Sequence, residues 1–227
     1  LIISQPCDMD QKTPPHSNPI AAQTDQLLVE NQQLRAHLQD LLKQAHNNQL
    51  IMHRHHLLNL KIIGANSLIE LLETIFESLR DSSSLDLVTL LILDADYEVQ
   101  RVMFNLNIDP AAFPNLLLMH NPDKLEAGLL RLKKPELGIF SAERHRVLFP
   151  ASQSAPASFA IVPLYRQKNL TGYLNFASAD ENRFTSHIGT DFIEEQASII
   201  SLCLENVINN ERLKHIGLTD PLTSVNN

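Results

Sequence analysis

The 227 residues, 44% of them apolar, are enough for one domain of ordinary size plus extended segments, or for two small domains. A formal net charge of −8 and a pI near 5.6 argue against a nucleic-acid binder, which usually presents a basic stripe. The absence of any apolar run of roughly eighteen residues excludes a spanning helix. Cys7 and Cys203 stand in unlike settings, which argues against a disulfide and for a reducing, cytoplasmic compartment.

Residues 1–22 hold Pro6, Pro14, Pro15 and Pro19 among Gln, Ser, Asn and Asp. A stretch so poor in apolar groups is expected to be a flexible tail. Leu1-Ile2-Ile3 is too short for a signal-peptide core. With no initial Met, the natural start is expected upstream or at Met9.

Residues 23–63 read as one long helix. Leu27, Leu34, Leu41 and Asn48 recur at one heptad position, and Asn31, Leu38, Ala45 and Met52 at the other. Leucines seven apart with an Asn on the paired seam fit a parallel two-chain coiled coil, in which the Asn selects register at some loss of stability. The same face could instead pack on the chain's own domain; its polar surroundings favour the dimer. The dimerisation candidates are therefore Leu27, Asn31, Leu34, Leu38 and Leu41, and the expected partner is a second copy. His46, His53, His55 and His56 share this helix, but no Cys or carboxylate stands at i+3 or i+4 to them. No metal site is expected there.

Gly64 interrupts the helix, and Ser67-Leu68-Ile69-Glu70 reads as a capping box. The helix it starts, Ser67 to about Arg80, sets Leu68, Leu71, Leu72, Ile75, Phe76 and Leu79 on one face. Leu87–Leu93 is an apolar strand, Asp94-Ala95-Asp96 a turn, and Val99–Leu106 the second strand of a hairpin. Asp109-Pro110 and Asn121-Pro122 are cap-then-proline signals for two short helices. Leu137–Phe140 is a small strand and Ser141–Leu148 a short helix. Ala157–Tyr165 and Leu170–Ala177 are a strand pair joined by the polar turn Arg166–Asn169.

The last helix begins at about Thr185. It carries Phe192, Ile199, Cys203 and Leu213 near one face, with Ala197, Ile200, Leu204 and Val207 beside it. Gly217 should stop it. Asp220-Pro221 repeats the cap-then-proline signal, so the chain is expected to end one turn into a further element. The sum is an α+β fold, an antiparallel sheet flanked by helices.

The run SFAIVPLYRQKNLTGYLNFASADENRF resembles the closing layout of a GAF domain: an apolar strand ending in Val-Pro-Leu, a polar turn, a Gly-led strand, then Phe and the last helix. More narrowly, LGIFSAERHRVLFP and DENRFTSHIGTDFIEE resemble a proteobacterial family of GAF-like domains of unknown function, over about Thr24 to Arg212. The final LTDPLTSVNN resembles the opening of a GGDEF domain, the catalytic module of diguanylate cyclases. Thr219, Asp220, Leu222, Thr223 and Asn227 fit its usual form, while Ser224 stands where Gly is usual and Val225 where Leu is usual.

The residue patterns and these resemblances together divide the chain into a tail (1–22), a coiled-coil helix (23–63), a GAF-like sensory domain (64–184), a signalling helix (185–217) and the start of a GGDEF domain (218–227). They imply a sensory and dimerisation module, itself non-catalytic, that controls a diguanylate cyclase making cyclic di-GMP. GTP and magnesium belong to the cyclase domain, and no cofactor or metal is expected within these residues. Gly217, Asp220 and Pro221 would couple the two. A small molecule held between sheet and helices would touch Phe104, Leu117 and Met119, although core packing explains these apolar residues as well. The alternative is a constitutive dimeric scaffold that binds no ligand. No P-loop, Gly-x-Ser-x-Gly, Cys-x-x-Cys or His-Glu-x-x-His is present to argue for an enzyme, and neither nucleic acid nor membrane is an expected partner.

Overall fold

A computed structural model describes residues 19–150, 156–185 and 189–218. The tail expected over 1–22 lies outside these up to residue 18; the remainder is taken up by helix α1 (Pro19–Gly64). The contacts divide the chain into two units, Leu1–Ile51 and Met52–Asn227. In the first unit Leu27, Leu34, Leu38 and Leu41 are exposed, as is Asn31. The second unit claims the end of α1 expected to belong to the coiled coil, because Leu58 and Ile62 are buried in its core.

The helix after Gly64 starts as the sequence predicts, with one difference. The Ser67 hydroxyl accepts from the Glu70 N–H at 3.2 Å, but the Glu70 carboxylate reaches one residue further back, to the Asn66 N–H at 2.9 Å. Helix α2 (Leu68–Glu73) widens into a π-helical stretch, Thr74–Leu79, and closes as α3 (Arg80–Ser82). The widening begins where the Thr74 hydroxyl donates to the Glu70 carbonyl. Leu68, Leu71, Leu72, Ile75, Phe76 and Leu79 are all buried, as their spacing predicts.

Strand β1 (Leu87–Leu93) is not half of a hairpin. The stretch predicted as its partner, Val99–Leu106, is instead helix α4 (Glu98–Asn105). Val99, Val102 and Met103 are its buried residues, an i, i+3, i+4 set that fits a helix and not a two-residue repeat. Asp109 and Asn121 each cap a single 3-10 turn, Pro110–Ala112 and Pro122–Lys124. Between those turns lies β2 (Leu116–Met119), absent from the sequence reading, which pairs parallel to β1. Parallel pairing needs a crossover connection, and α4 supplies it. Helix α5 (Ala127–Leu130), strand β3 (Glu136–Ile139) and helix α6 (Ala142–His145) follow. Strands β4 (Ser158–Arg166) and β5 (Asn169–Ser178) form the predicted hairpin. Its two turn residues, Gln167 and Lys168, both have positive φ, as a tight two-residue hairpin requires.

Among the described residues five strands run β2-β1-β5-β4-β3, antiparallel except for the β1–β2 pair. Alternation sends Val88, Leu90, Ile92, Leu174 and Phe176 to a face covered by the end of α1, by α2, by α4 and by α7 (Asp191–Leu218). The other face carries Leu91, Phe159, Ile161 and Tyr173 under the segment that holds α5 and α6. A fully buried leucine such as Leu90 contributes about 2 kcal/mol through the apolar area it removes from water. Helix α7 starts at Asp191 rather than near Thr185, and Gly217, the expected stop, lies within its last turn. Among the described residues no helix is long and apolar enough to cross a membrane.

Candidate ligand-binding site

A cavity of about 270 Å³ lies between the end of β1, the first turn of α4, the β4–β5 hairpin and α7. Its lower wall is apolar, with Ile92, Val99, Leu164, Leu204 and Ile208. The first turn of α4 is fixed by the buried Asp94, whose carboxylate accepts from the N–H groups of Val99 and Gln100, both at 3.0 Å. Two unpaired helix donors are thereby satisfied by a charge at the end of the helix that favours it. Beside this turn, His120 Nδ1 lies 2.9 Å from the Asp94 carbonyl oxygen, and the ring stacks on Tyr97 at 4.1 Å. The Ser201 hydroxyl of α7 donates to the Tyr165 carbonyl of β4 at 3.3 Å.

The upper wall is charged. The Arg166 guanidinium donates to the Glu205 carboxylate, joining β4 to α7. Arg212 and Glu98 pair at 2.7 Å, joining α7 to α4. All four side chains are partly exposed, so either pair contributes about 1 kcal/mol or less to stability. Their interest is positional, because both pairs end on α7.

A second cavity, of about 330 Å³, lies on the far side of α4 beside Met103, Ile108, Leu116 and Leu118. The sequence-predicted lining divides here. Phe104 is 81% exposed and lines this second cavity. Leu117 and Met119 pack in the core on the opposite face of the sheet. The cause is the two-residue repeat of β2, which sends Leu116 and Leu118 toward α4 and the residues between and after them away from it.

That opposite face holds a buried polar group. The Asn175 Nδ2 donates to the Thr89 hydroxyl at 3.1 Å, and that hydroxyl donates to the Leu148 carbonyl at 2.6 Å. The Tyr173 hydroxyl donates to the Leu129 carbonyl at 2.8 Å. The Ser141 N–H donates to His145 Nδ1 at 3.0 Å, so His145 is a neutral ring with its proton on Nε2. Burial holds the His145 pKa below the ordinary 6.5; Arg144 adds to the effect, and Glu136 and Glu126 oppose it. His55, stacked on Phe192 and bonded through Nδ1 to Gln196, is lowered for the same first reason.

The direction sets a pH response. With the folded value below the unfolded one, the unfolded chain binds more protons in the interval between them. Stability is therefore full above about pH 6.5 and falls as the pH drops through that value toward the folded one. Denaturation from about pH 7.5 to about pH 5 should show this decline, and His145→Gln should reduce it, leaving the share that belongs to His55. A slope that the variant leaves unchanged would assign the acid sensitivity elsewhere.

Among the described residues no group of three or more His, Cys, Asp or Glu side chains could hold a metal ion. Cys203 is a buried thiol with its pKa raised by that burial. Of the predicted coupling residues, Gly217 lies in α7, while Asp220 and Pro221 fall outside the described residues. The charged wall of the first cavity was not singled out from the sequence. Its four residues stand on three elements far apart in the chain, and no local spacing marks them.

A family model described as "Protein of unknown function, DUF484" matches residues 21–209. No curated protein matches the sequence. Among the similar solved structures is the "Crystal structure of the GAF domain from Acinetobacter phosphoenolpyruvate-protein phosphotransferase". It is 14% identical, over 74% of this chain and 98% of that one, with a TM-score of 0.49, too loose a superposition to argue from.

Proposed function

The chain belongs to the DUF484 family, and we propose that it is a sensory or regulatory module of GAF-like type that holds a small molecule against α7. The observation that carries this reading is the cavity beside that helix. Leu204, Glu205, Ile208 and Arg212, successive turns of α7, all line it. An occupant therefore touches the helix directly, and it shifts the helix by as much as its affinity differs between two helix positions. The GAF-like layout read from the sequence supports the same reading, because β4, the tight turn, β5 and α7 follow in the order it requires.

The module acts as a homodimer in this proposal, paired through the exposed leucines of α1. Sedimentation of the chain should give the mass of two copies. Leu34→Asp combined with Leu41→Asp should give one copy, because two charges on an apolar seam are not tolerated. A parent chain that sediments as a monomer at high concentration would remove the pairing.

The output in this proposal is a diguanylate cyclase, supported by the likeness of residues 218–227 to the opening of a GGDEF domain. The coding sequence after Asn227 tests it: a GG[D/E]EF motif within about one domain length supports the proposal, and any other continuation ends it. Magnesium and GTP would act in that domain. A ligand-free scaffold is the second reading, favoured by the opposite sheet face, where Tyr173, Leu148 and Ile161 fill the layer.

A further inference from the structure

The charged wall of the cavity beside α7 restricts what can enter. Arg166 pairs with Glu205, and Arg212 with Glu98. The remaining carboxylate at the cavity, Asp94, is already held by two backbone N–H groups. A carboxylate entering alone would draw an arginine from its glutamate and leave the glutamate without a counter-charge. An amine entering alone would strand the arginine. Either exchange trades one ion pair for another and leaves the displaced side chain to water at a partly exposed rim, so a single charge gains little. A molecule that bears both charges re-pairs both partners at once, with its carboxylate on the planar donor fork of the guanidinium.

Size and lining narrow the class further. A cavity of about 270 Å³ lies just below the range of roughly 300–1,000 Å³ that suits drug-sized ligands. Its floor of Val99, Leu164, Leu204 and Ile208 calls for hydrocarbon. We propose that the cavity binds a free α-amino acid with an apolar side chain, its carboxylate on Arg166, its ammonium on Glu205 and its side chain on the floor. The two charges of an α-amino acid sit on one carbon, which suits insertion into a single ion pair. This assignment rests on the reading of the cavity as a sensory site. It also supplies the differential contact that a sensor needs, because insertion exchanges the direct tie between β4 and α7 for a bridged one.

Calorimetric titration of L-leucine into the full chain should report one site. The same side chain with one charge removed, as 4-methylpentanoate or isoamylamine, should bind at least tenfold more weakly. Arg166→Met and Glu205→Gln should each lose L-leucine binding while keeping the parent far-UV spectrum. Equal binding of either single-charge analogue, or L-leucine binding that survives in both variants, overturns the assignment. A panel of nucleotides, sugars and organic acids separates this outcome from failure of the sensory reading. A melting shift from that panel that Leu204→Trp abolishes, with no apolar amino acid binding, overturns the amino-acid assignment alone. No shift from any compound overturns both.

Discussion

Gly172→Ala should leave the domain unfolded or at least about 3 kcal/mol less stable. Gly172 sits in β5 opposite Ile92 of β1 on one side and Leu164 of β4 on the other. A Cβ built there lies 2.1 Å from the Leu91 carbonyl oxygen, 3.1 Å from its carbon and 3.2 Å from the Ile92 Cα. All three neighbours are backbone, so no rotamer can relieve the clash, and β1 must part from β5. Overpacking alone costs about 1–3 kcal/mol, and each ladder bond lost adds about 1 kcal/mol. Urea denaturation followed by far-UV circular dichroism reads the result. Gly138→Ala is the control, since its Cβ meets only the Phe159 ring, at 3.5 Å, and should cost less than about 1 kcal/mol. Equal stability of the two variants would contradict this close approach of β1 and β5.

Asp94→Ala should cost about 3 kcal/mol and release the first turn of α4. Hydrogen bonds to a charged group are worth about 1.5–3 kcal/mol, and this carboxylate, only 3% exposed, accepts two. Hydrogen exchange of the Val99 and Gln100 amides should accelerate well beyond the change at β5. Asp94→Asn should fall between, because its carbonyl can keep one bond and its amide cannot accept the other. The exposed Asp96, two residues on in the same turn, should tolerate alanine within about 0.5 kcal/mol. Protection at Val99 and Gln100 that survives Asp94→Ala would show that the carboxylate is not what holds the turn.

The parts legible in the sequence were those set by local chemistry. Ser67 and Glu70 announced a helix start three residues apart, and Asp109 and Asn121 each preceded the proline of a short turn. The β4–β5 hairpin was read from two apolar runs around a polar turn. The misread stretch, Val99–Leu106, is rich in β-branched and apolar residues, and that composition outweighed the helical spacing of Val99, Val102 and Met103. Strand β2 is four residues long and pairs in parallel with a strand on the other side of a helix, so nothing adjacent in sequence marks it. The same limit hid the charged wall of the cavity. Arg166 looks like the start of a turn, Glu98 like the approach to a strand, and Glu205 and Arg212 like solvated helix residues, until the tertiary fold brings them together.

Both outermost strands of the sheet, β2 and β3, are four residues long, whereas β4 and β5 between them have nine and ten. An edge this short offers few unpaired backbone groups to a neighbouring chain, which is one way natural sheets avoid growing by strand addition. The sheet is thus a poor template for aggregation even when the protein is concentrated. In the proposed dimer the pairing falls to a helical surface, where side chains rather than backbone decide which partner is accepted.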